Sequence, residues 1–253
     1  MRYIACLGVF GTLLFALTGA AGACEVENGF GRTKLPDGSV YQGQFRGCLF
    51  DGRGRLSWPD GSTFDGTFHA GLREGQGRQV SAGGWVYEGE YRDGQPNGTG
   101  TMTFRRGDVY AGEFVDGRYE GRGTFTSAFG EIYRGQFRNG LYSGAGLLVM
   151  EDGSRIAGEF REGLVDGLAA ALYANGDCYR GEFSNGLWEG FGVLAYAEGD
   201  LYQGEFRQGL FNGKGRYVAD GGDQIVEGIW KDGEFVDPTD AYPGGVASGP
   251  SSI

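Results

Sequence analysis

One histidine, His69, four cysteines and 33 carboxylates are the side chains of this 253-residue chain with the types needed for catalysis or metal binding. A lone histidine has no second imidazole to share a transition metal, so a metal site would have to be built from carboxylates. Those carboxylates are spread by a rule: Glu90, Glu113, Glu159, Glu182 and Glu205 stand 23 residues or a multiple of 23 apart, and Arg46, Arg92, Arg138, Arg161 and Arg207 keep the same spacing. His69 occupies one of the arginine positions, which makes it a substitution in a series and not a base held for catalysis. The regular placement reads as alternating charge on a solvated face, with cross-strand pairs contributing about 0.2–1 kcal/mol each. A glycosidase-type pair of acids would also need a cleft and a raised pKa, and nothing in the sequence marks one. Paired Gly-x-Gly steps are not nucleotide loops, because no helix pattern follows to offer its N-terminus to a phosphate. Arg106-Gly107-Asp108 is what turn chemistry would generate, and Asn97-Gly98-Thr99 is a glycosylation acceptor only in an exporting eukaryotic host. The expectation is no enzyme, with no catalytic residue, no metal and no cofactor.

The elements that position these residues come from a comb of glycines. Counting each block from Tyr41, Phe64, Tyr87, Tyr110, Tyr133, Ile156, Tyr179 and Tyr202, place three is always glycine, place five is always aromatic, place twelve is always glycine, and place fourteen is glycine except at Ala169. Apolar, polar, Gly, polar, apolar is the period-two pattern of a half-buried strand. A second strand follows with apolar residues at places sixteen and eighteen, such as Leu56, Phe125, Leu194, Trp58 and Tyr196. Asp60-Gly61, Asp152-Gly153 and Asn175-Gly176 supply the positive φ angles of tight hairpin turns. Each block is therefore one β-hairpin, and because a lone hairpin is marginal in water, successive hairpins must pair edge to edge. The predicted fold is all-β: an elongated, single-layer antiparallel sheet of tandem 23-residue hairpins. Glycines at places three and fourteen leave shallow troughs where large rings lie flat on the backbone.

The series Tyr41-Gln42-Gly43-Gln44-Phe45, Tyr133-Arg134-Gly135-Gln136-Phe137 and Tyr202-Gln203-Gly204-Glu205-Phe206, with the later Gly-x-Gly, resembles the MORN repeat (membrane occupation and recognition nexus). Eight full blocks run from Tyr41 to about Ile225, with half a block before (Gly29, Gly31, Gly38) and half after (Val226, Gly228, Trp230, Gly233). Departures are Cys48 for glycine at place eight, Ile156 for the leading aromatic, and one extra residue near Gly221-Gly222. The resemblance implies the hairpin sheet. It says little about function, since MORN arrays occur beside partner domains as different as kinases and methyltransferases; the family's name implies membrane lipid as one ligand.

The ends of the chain point to export. Arg2, an apolar run from Ile4 to Leu17 and Ala21-Gly22-Ala23 have the form of a signal peptide over residues 1–23, which carries Cys6 away. That leaves the array at 24–236 and a Pro, Gly and Ser-rich tail at 237–253, expected to be disordered. Exported then means periplasm, cell envelope or secreted. Cleavage before Cys24 also allows an outer-membrane lipoprotein, although Ala21 stands where a leucine is usual. The rival fate of Cys24 is a disulfide with Cys48, the one residue replacing a place-eight glycine, if the first hairpin turns at Asp37-Gly38; that bond would clip the sheet's first edge at about 3 kcal/mol. Cys178 reads as a small buried apolar residue. A net charge of −11 disfavours nucleic acid and lacks the basic cluster that draws a protein to anionic lipid.

Place ten holds Phe50, Tyr119, Tyr142, Trp188 and Phe211. These rings either form a contact strip along one edge for protein, glycan or lipid, or fold back over the sheet and complete its core. The function expected is a non-catalytic, exported scaffold presenting its repeat surface to an unidentified protein partner. The alternatives are peripheral membrane binding and, more remotely, an envelope enzyme acting on glycans; exposed sheet edges also allow self-association.

Overall fold

The computed structural model describes residues 24–236. The expected export segment and the expected disordered tail lie outside the described residues. Two compact units are distinguished, one running through Leu141 and the other from Tyr142. In the first, Gly29–Lys34 pairs with Val40–Arg46, and the chain then alternates seven-residue leading strands with nine-residue trailing strands as far as Ile132–Arg138. In the second, Leu141–Val149 pairs with Arg155–Arg161, and the same alternation continues to Gln224–Lys231 and the short Glu234–Val236. Among the described residues the strands pair antiparallel with their neighbours in sequence, as expected for a meander of hairpins in one layer.

Two kinds of turn join the strands, and their placement differs from the sequence expectation. The tight type I′ turn, which needs two residues with φ above zero, is at places seven and eight: Asp93 and Gly94 have φ of 50° and 79°, Asn139 and Gly140 of 50° and 82°. The Asp60-Gly61 type of dipeptide instead ends a wider loop, in which Gly61 N–H donates to Trp58 O at 3.0 Å and Trp58 N–H to Ser62 O at 2.9 Å. Only the glycine there has positive φ, the geometry of a type I turn closed by a bulge.

The core of each hairpin is one ring on two glycines. Places one, three, five, fourteen and sixteen share a face, and the place-one rings Tyr41, Phe64, Tyr87, Tyr110, Tyr133, Tyr179 and Tyr202 are buried there. A Cβ built on Gly100 would sit 2.6 Å from Cε2 and Cζ of Tyr87, and one on Gly77 would sit 2.5 Å from Cζ of Phe64. Glycine is required at these places because the ring occupies the space of the side chain. Beyond them the register slips: Gly43 faces Gly54, yet Phe45 faces Phe50, so the trailing strand carries two extra residues around Gly52, whose φ is 101°. Such a bulge strips backbone groups of ladder partners. The tyrosine hydroxyl repairs one of them by donating to the place-four carbonyl, as in Tyr41 to Gln44 and Tyr110 to Glu113, both at 2.9 Å.

The sixth block tests this account from within the chain. Ile156 replaces the ring, and it is the block in which Ala169 replaces the place-fourteen glycine. A branched aliphatic side chain does not reach across the glycine pair, so a methyl group fits. Arg155–Arg161 and Leu164–Leu172 still form the same bulged hairpin, with Gly158 opposite Ala169.

Successive hairpins are stitched by three repeated bonds. The place-eight N–H donates to the place-ten carbonyl of the block before, as in Gly94 to Arg73 at 3.0 Å. The place-eleven side chain accepts from the place-seven N–H of the block after, as in Asn139 to Glu120 at 2.9 Å. The place-22 side chain accepts from the next closing loop, as in Ala82 to Ser62 Oγ at 3.0 Å. The first edge reuses this grammar without a full repeat: Cys48 N–H donates to Glu27 O at 2.8 Å, Gly47 N–H to Asn28 Oδ1 at 3.0 Å, and Val26 covers Gly31 where a ring would lie.

Gly100→Ala should lower stability by about 1–3 kcal/mol, the cost of overpacking a filled site, and the same substitution in a Tyr87→Ile background should cost much less. Denaturation of the four chains in the cycle reads the coupling, and simple additivity would refute the ring-on-glycine account. Burial also pushes the Tyr41 and Tyr202 hydroxyls up to about 12 from 10.0. A group whose native pKa is raised contributes stability below the unfolded value and loses it as pH climbs through the native one. The array should therefore lose stability between about pH 10 and 12, with phenolate absorbance of the buried tyrosines appearing together with unfolding and not before it.

Candidate functional site

His69 is exposed, and its Nδ1 lies 3.2 Å from Asp51 Oδ2, while Arg46 Nη2 lies 3.4 Å from Asp51 Oδ1. The Ala70 N–H reaches the same Oδ2 at 3.4 Å. Asp51 is thus a place-eleven carboxylate tying two hairpin turns together, and His69 shares it with an arginine. Arg161 meets Asp166 in the same way at 3.4 Å.

This corrects the expected charge pattern. Arg46 and Arg161 of place six pair with the place-eleven carboxylate of their own hairpin. The acids of place four turn into the bulge: Glu113 Oε1 accepts from Arg122 N–H at 2.9 Å, Glu205 Oε1 from Lys214 N–H at 3.2 Å, and Gln44 performs the same task for Arg53 N–H at 2.9 Å. Hydrogen bonds from the Thr99 side chain and backbone hold the Glu90 carboxyl below its usual range. A general acid needs the opposite shift. Among the described residues no group of three or more His, Cys, Asp and Glu is placed to hold a metal ion.

The place-ten rings face inward. Phe50 stacks on Tyr41 and Tyr119 on Tyr110, each at 3.7 Å between centroids; Phe211 stacks on Tyr202 at 3.7 Å and Trp188 on Tyr179 at 4.8 Å. Tyr119 and Tyr142 are buried, and Phe50, Trp188 and Phe211 half-buried. The stacked faces of this row help complete the core, because a one-layer sheet has no second layer to cover its rings. Sequence reasoning missed Arg73, which stands at place ten of the second block. Its guanidinium lies 5.7 Å from the Phe64 centroid and 5.2 Å from that of Tyr91, donates to Gln79 Oε1 at 2.8 Å and to the Gly94 carbonyl, and fills the ring's place by cation–π stacking. Burial lowers its pKa.

Cys24 and Cys48 are joined by a disulfide, their Cα atoms 5.8 Å apart. Cys178 is exposed, not buried as expected. It sits at place 23, one step before a core-facing tyrosine, and alternation turns it to the opposite side. Asp108 of the Arg-Gly-Asp triplet accepts from Ala128 N–H at 2.8 Å within the loop stitching. Asn97 is 9% exposed and donates from Nδ2 to Asp116 Oδ1 at 3.3 Å, so its amide is not presented for modification.

What remains free is the face opposite the rings, set by places two, four, thirteen and fifteen. In the first unit it holds an open trough of about 1050 Å³, floored by Gly54, Gly66, Gly77, Gly89 and Gly100 and walled by Gln42, Arg53, Arg55, Asp65, Arg78 and Glu88. Exposed ion pairs cross it, Arg55 to Asp65 at 3.8 Å and Arg78 to Glu88 at 2.5 Å. In the second unit the same places hold Ala157, Leu168, Ala170, Phe191 and Val193 around a hollow of about 640 Å³, with Arg180 and Glu182 on its lining. The change of character is visible once the blocks are aligned, since Arg, Gln and Thr at places thirteen and fifteen give way to Leu, Ala, Phe and Val.

Among solved structures the chain is similar to the TCP domain of Drosophila melanogaster SAS-4 (dCPAP), solved with a proline-rich motif of Ana2 (dSTIL), at 13% identity and TM-score 0.36, covering 85% of this chain and 97% of that one. It is similar to the Danio rerio CPAP TCP10 domain at 12% identity and TM-score 0.42, covering 79% and 100%. The virginiamycin B lyase of Staphylococcus aureus matches at 11% identity and TM-score 0.19, covering 81% and 85%. Likeness of this degree carries no functional argument. No curated protein matches the chain. The MORN repeat model matches residues 41–63, 64–86, 87–109, 110–128, 133–155, 179–201 and 202–224, and passes over the sixth block, where Ile156 and Ala169 replace its hallmark residues. With seven matched repeats over well more than half its length, and an eighth of the same bulged geometry, the chain belongs to the MORN repeat family.

Proposed function

We propose that this protein is an exported, non-catalytic scaffold that binds a protein partner through the open face of its repeats. The observation that carries the proposal is the polar trough of the first unit. Its walls alternate sign, its floor is bare backbone at the glycines, and its ion pairs are exposed. Exposed pairs hold one another weakly, so a partner of complementary charge exchanges them for contacts across an interface at little cost. Glu90, Glu113, Glu120, Glu189 and Glu205 serve the bulges and the turn stitching, which supports a binding role over a chemical one.

The disulfide between Cys24 and Cys48 supports passage through an oxidising compartment. It fastens residues 24–28 over the first edge, where the described residues hold no preceding hairpin to do so. This use of the Cys24 sulfur is incompatible with lipid attachment.

Pull-down from envelope extract with the native chain should recover a protein that the double variant Arg55→Glu, Arg78→Glu fails to recover at unchanged melting temperature. Equal recovery by both chains, or by neither, would overturn the trough as the binding face. Flotation with anionic vesicles should leave the protein at the bottom of the gradient; a floating fraction would favour the membrane alternative. Non-reducing peptide mass mapping of the exported protein should give a Cys24–Cys48 linked pair, and an acylated Cys24 would exclude it.

A further inference from the structure

The water-facing side of the second unit does not have the composition of a surface exposed to water. Leu168 is 68% exposed, Phe191 53% and Leu172 45%, and all three lie on the side opposite the core rings. Alternation along the trailing strand sets this: Val165, Ala169 and Ala171 are buried, while Leu168, Ala170 and Leu172 between or beside them are exposed. Ala157 and Ala170 keep the hollow shallow, and no described element of the unit lies outside the sheet to cover it. A sheet with two apolar faces buries the second against another layer, about 10 Å away.

We propose that the covering layer is the same face of a second copy of this chain, stacked about a two-fold axis that passes near Gly181. The occupant is argued from charge. Arg180 and Glu182 lie on one strand, on the same side, with Gly181 between them, and both line the hollow. A two-fold axis lying between the two faces, parallel to them and perpendicular to the strand Cys178–Ser184 at Gly181, brings Arg180 of each copy opposite Glu182 of the other, while Leu168 and Phe191 of one copy meet the apolar lining of its mate. An isologous contact has this reciprocal form. One arginine balanced by one glutamate gives a face without net charge, suited to itself and unsuited to an anionic membrane, and the chain's overall −11 makes the contact stronger as salt screens the copies from each other. This goes beyond the scaffold proposal and does not depend on it, since the trough belongs to the other unit.

Sedimentation of the full chain over a concentration series tests the contact. The native chain should be dimeric, with association rising from low to moderate salt. Leu168→Asp with Phe191→Asp should abolish association at unchanged melting temperature, because both side chains stand in water in the single copy. Arg180→Glu should weaken it about tenfold or more, and Arg180→Glu with Glu182→Arg should restore it. Glu182 also leans on the Gly190 bulge, so the fold is controlled by Glu182→Gln, the residue that the repeat already uses at Gln44 and Gln136. A native chain that stays monomeric overturns the proposal, as does a dimer indifferent to the Asp pair, which would point to the sheet edges, or a monomer that floats with vesicles through Leu168 and Phe191.

Discussion

The contact on which all but the sixth repeat depend is an aromatic ring, tyrosine everywhere except at Phe64, lying flat across two glycines of adjacent strands. The ring gives a one-layer sheet its only means of burying apolar area, since no helix or second sheet supplies a lid within the described units. Its hydroxyl then meets the carbonyl that the bulge leaves without a partner, as between Tyr87 and Glu90 at 2.9 Å. Glycines, bulge and tyrosine are therefore one device. Removing the glycine side chains makes room for the ring, the bulge presents a carbonyl at the ring's end, and the ring covers the backbone that glycine would otherwise leave wet.

That device explains why so many charged residues have so little chemical freedom. A bulge in each hairpin and a left-handed turn beside it expose backbone N–H groups at two fixed points, and an unpaired buried N–H is costly. Glu113 and Glu205 answer the first point, Glu120 and Glu189 the second. At Glu90 bonds of this kind hold the carboxyl below its usual range. The same residue types would look like a reservoir of acids if the repeat were not recognised.

The period, the all-β class and the hairpin as unit were legible because they rest on residues that the backbone demands at fixed intervals. Gly52, with φ of 101°, and Gly100, under a ring, admit no substitute, so they print the architecture directly into the sequence. The partners of the side chains were not legible in the same way. Cross-strand pairing of the place-four acids with charged neighbours assumes an unbroken period of two, and the bulge breaks it where place four meets place thirteen. The turn types were exchanged for a related reason: Asp-Gly signals a left-handed glycine in either turn, and only the residue before it, left-handed at Asp93 and not at Asp60, separates the two. Cys178 was misread because its neighbours in the repeat are Val and Ile, which fit the open side of a sheet as well as its core.

A repeat of this kind separates what it must keep from what it can vary. Places one, three, five, eleven, twelve and fourteen are taken up by ring, bulge and stitching, and a change at one of them propagates into the neighbouring hairpin. Places two, thirteen and fifteen point the other way, and the rings do not pack on them. The two units use that freedom differently: Arg55, Arg78 and Glu88 make one face an ion-paired trough, while Ala157, Ala170 and Val193 make the other apolar, on hairpins whose backbone hydrogen bonds are the same. On the proposed reading, recognition is encoded on the side that folding leaves unconstrained, and a single architecture can present two unlike surfaces without any cost to the contact that holds it together.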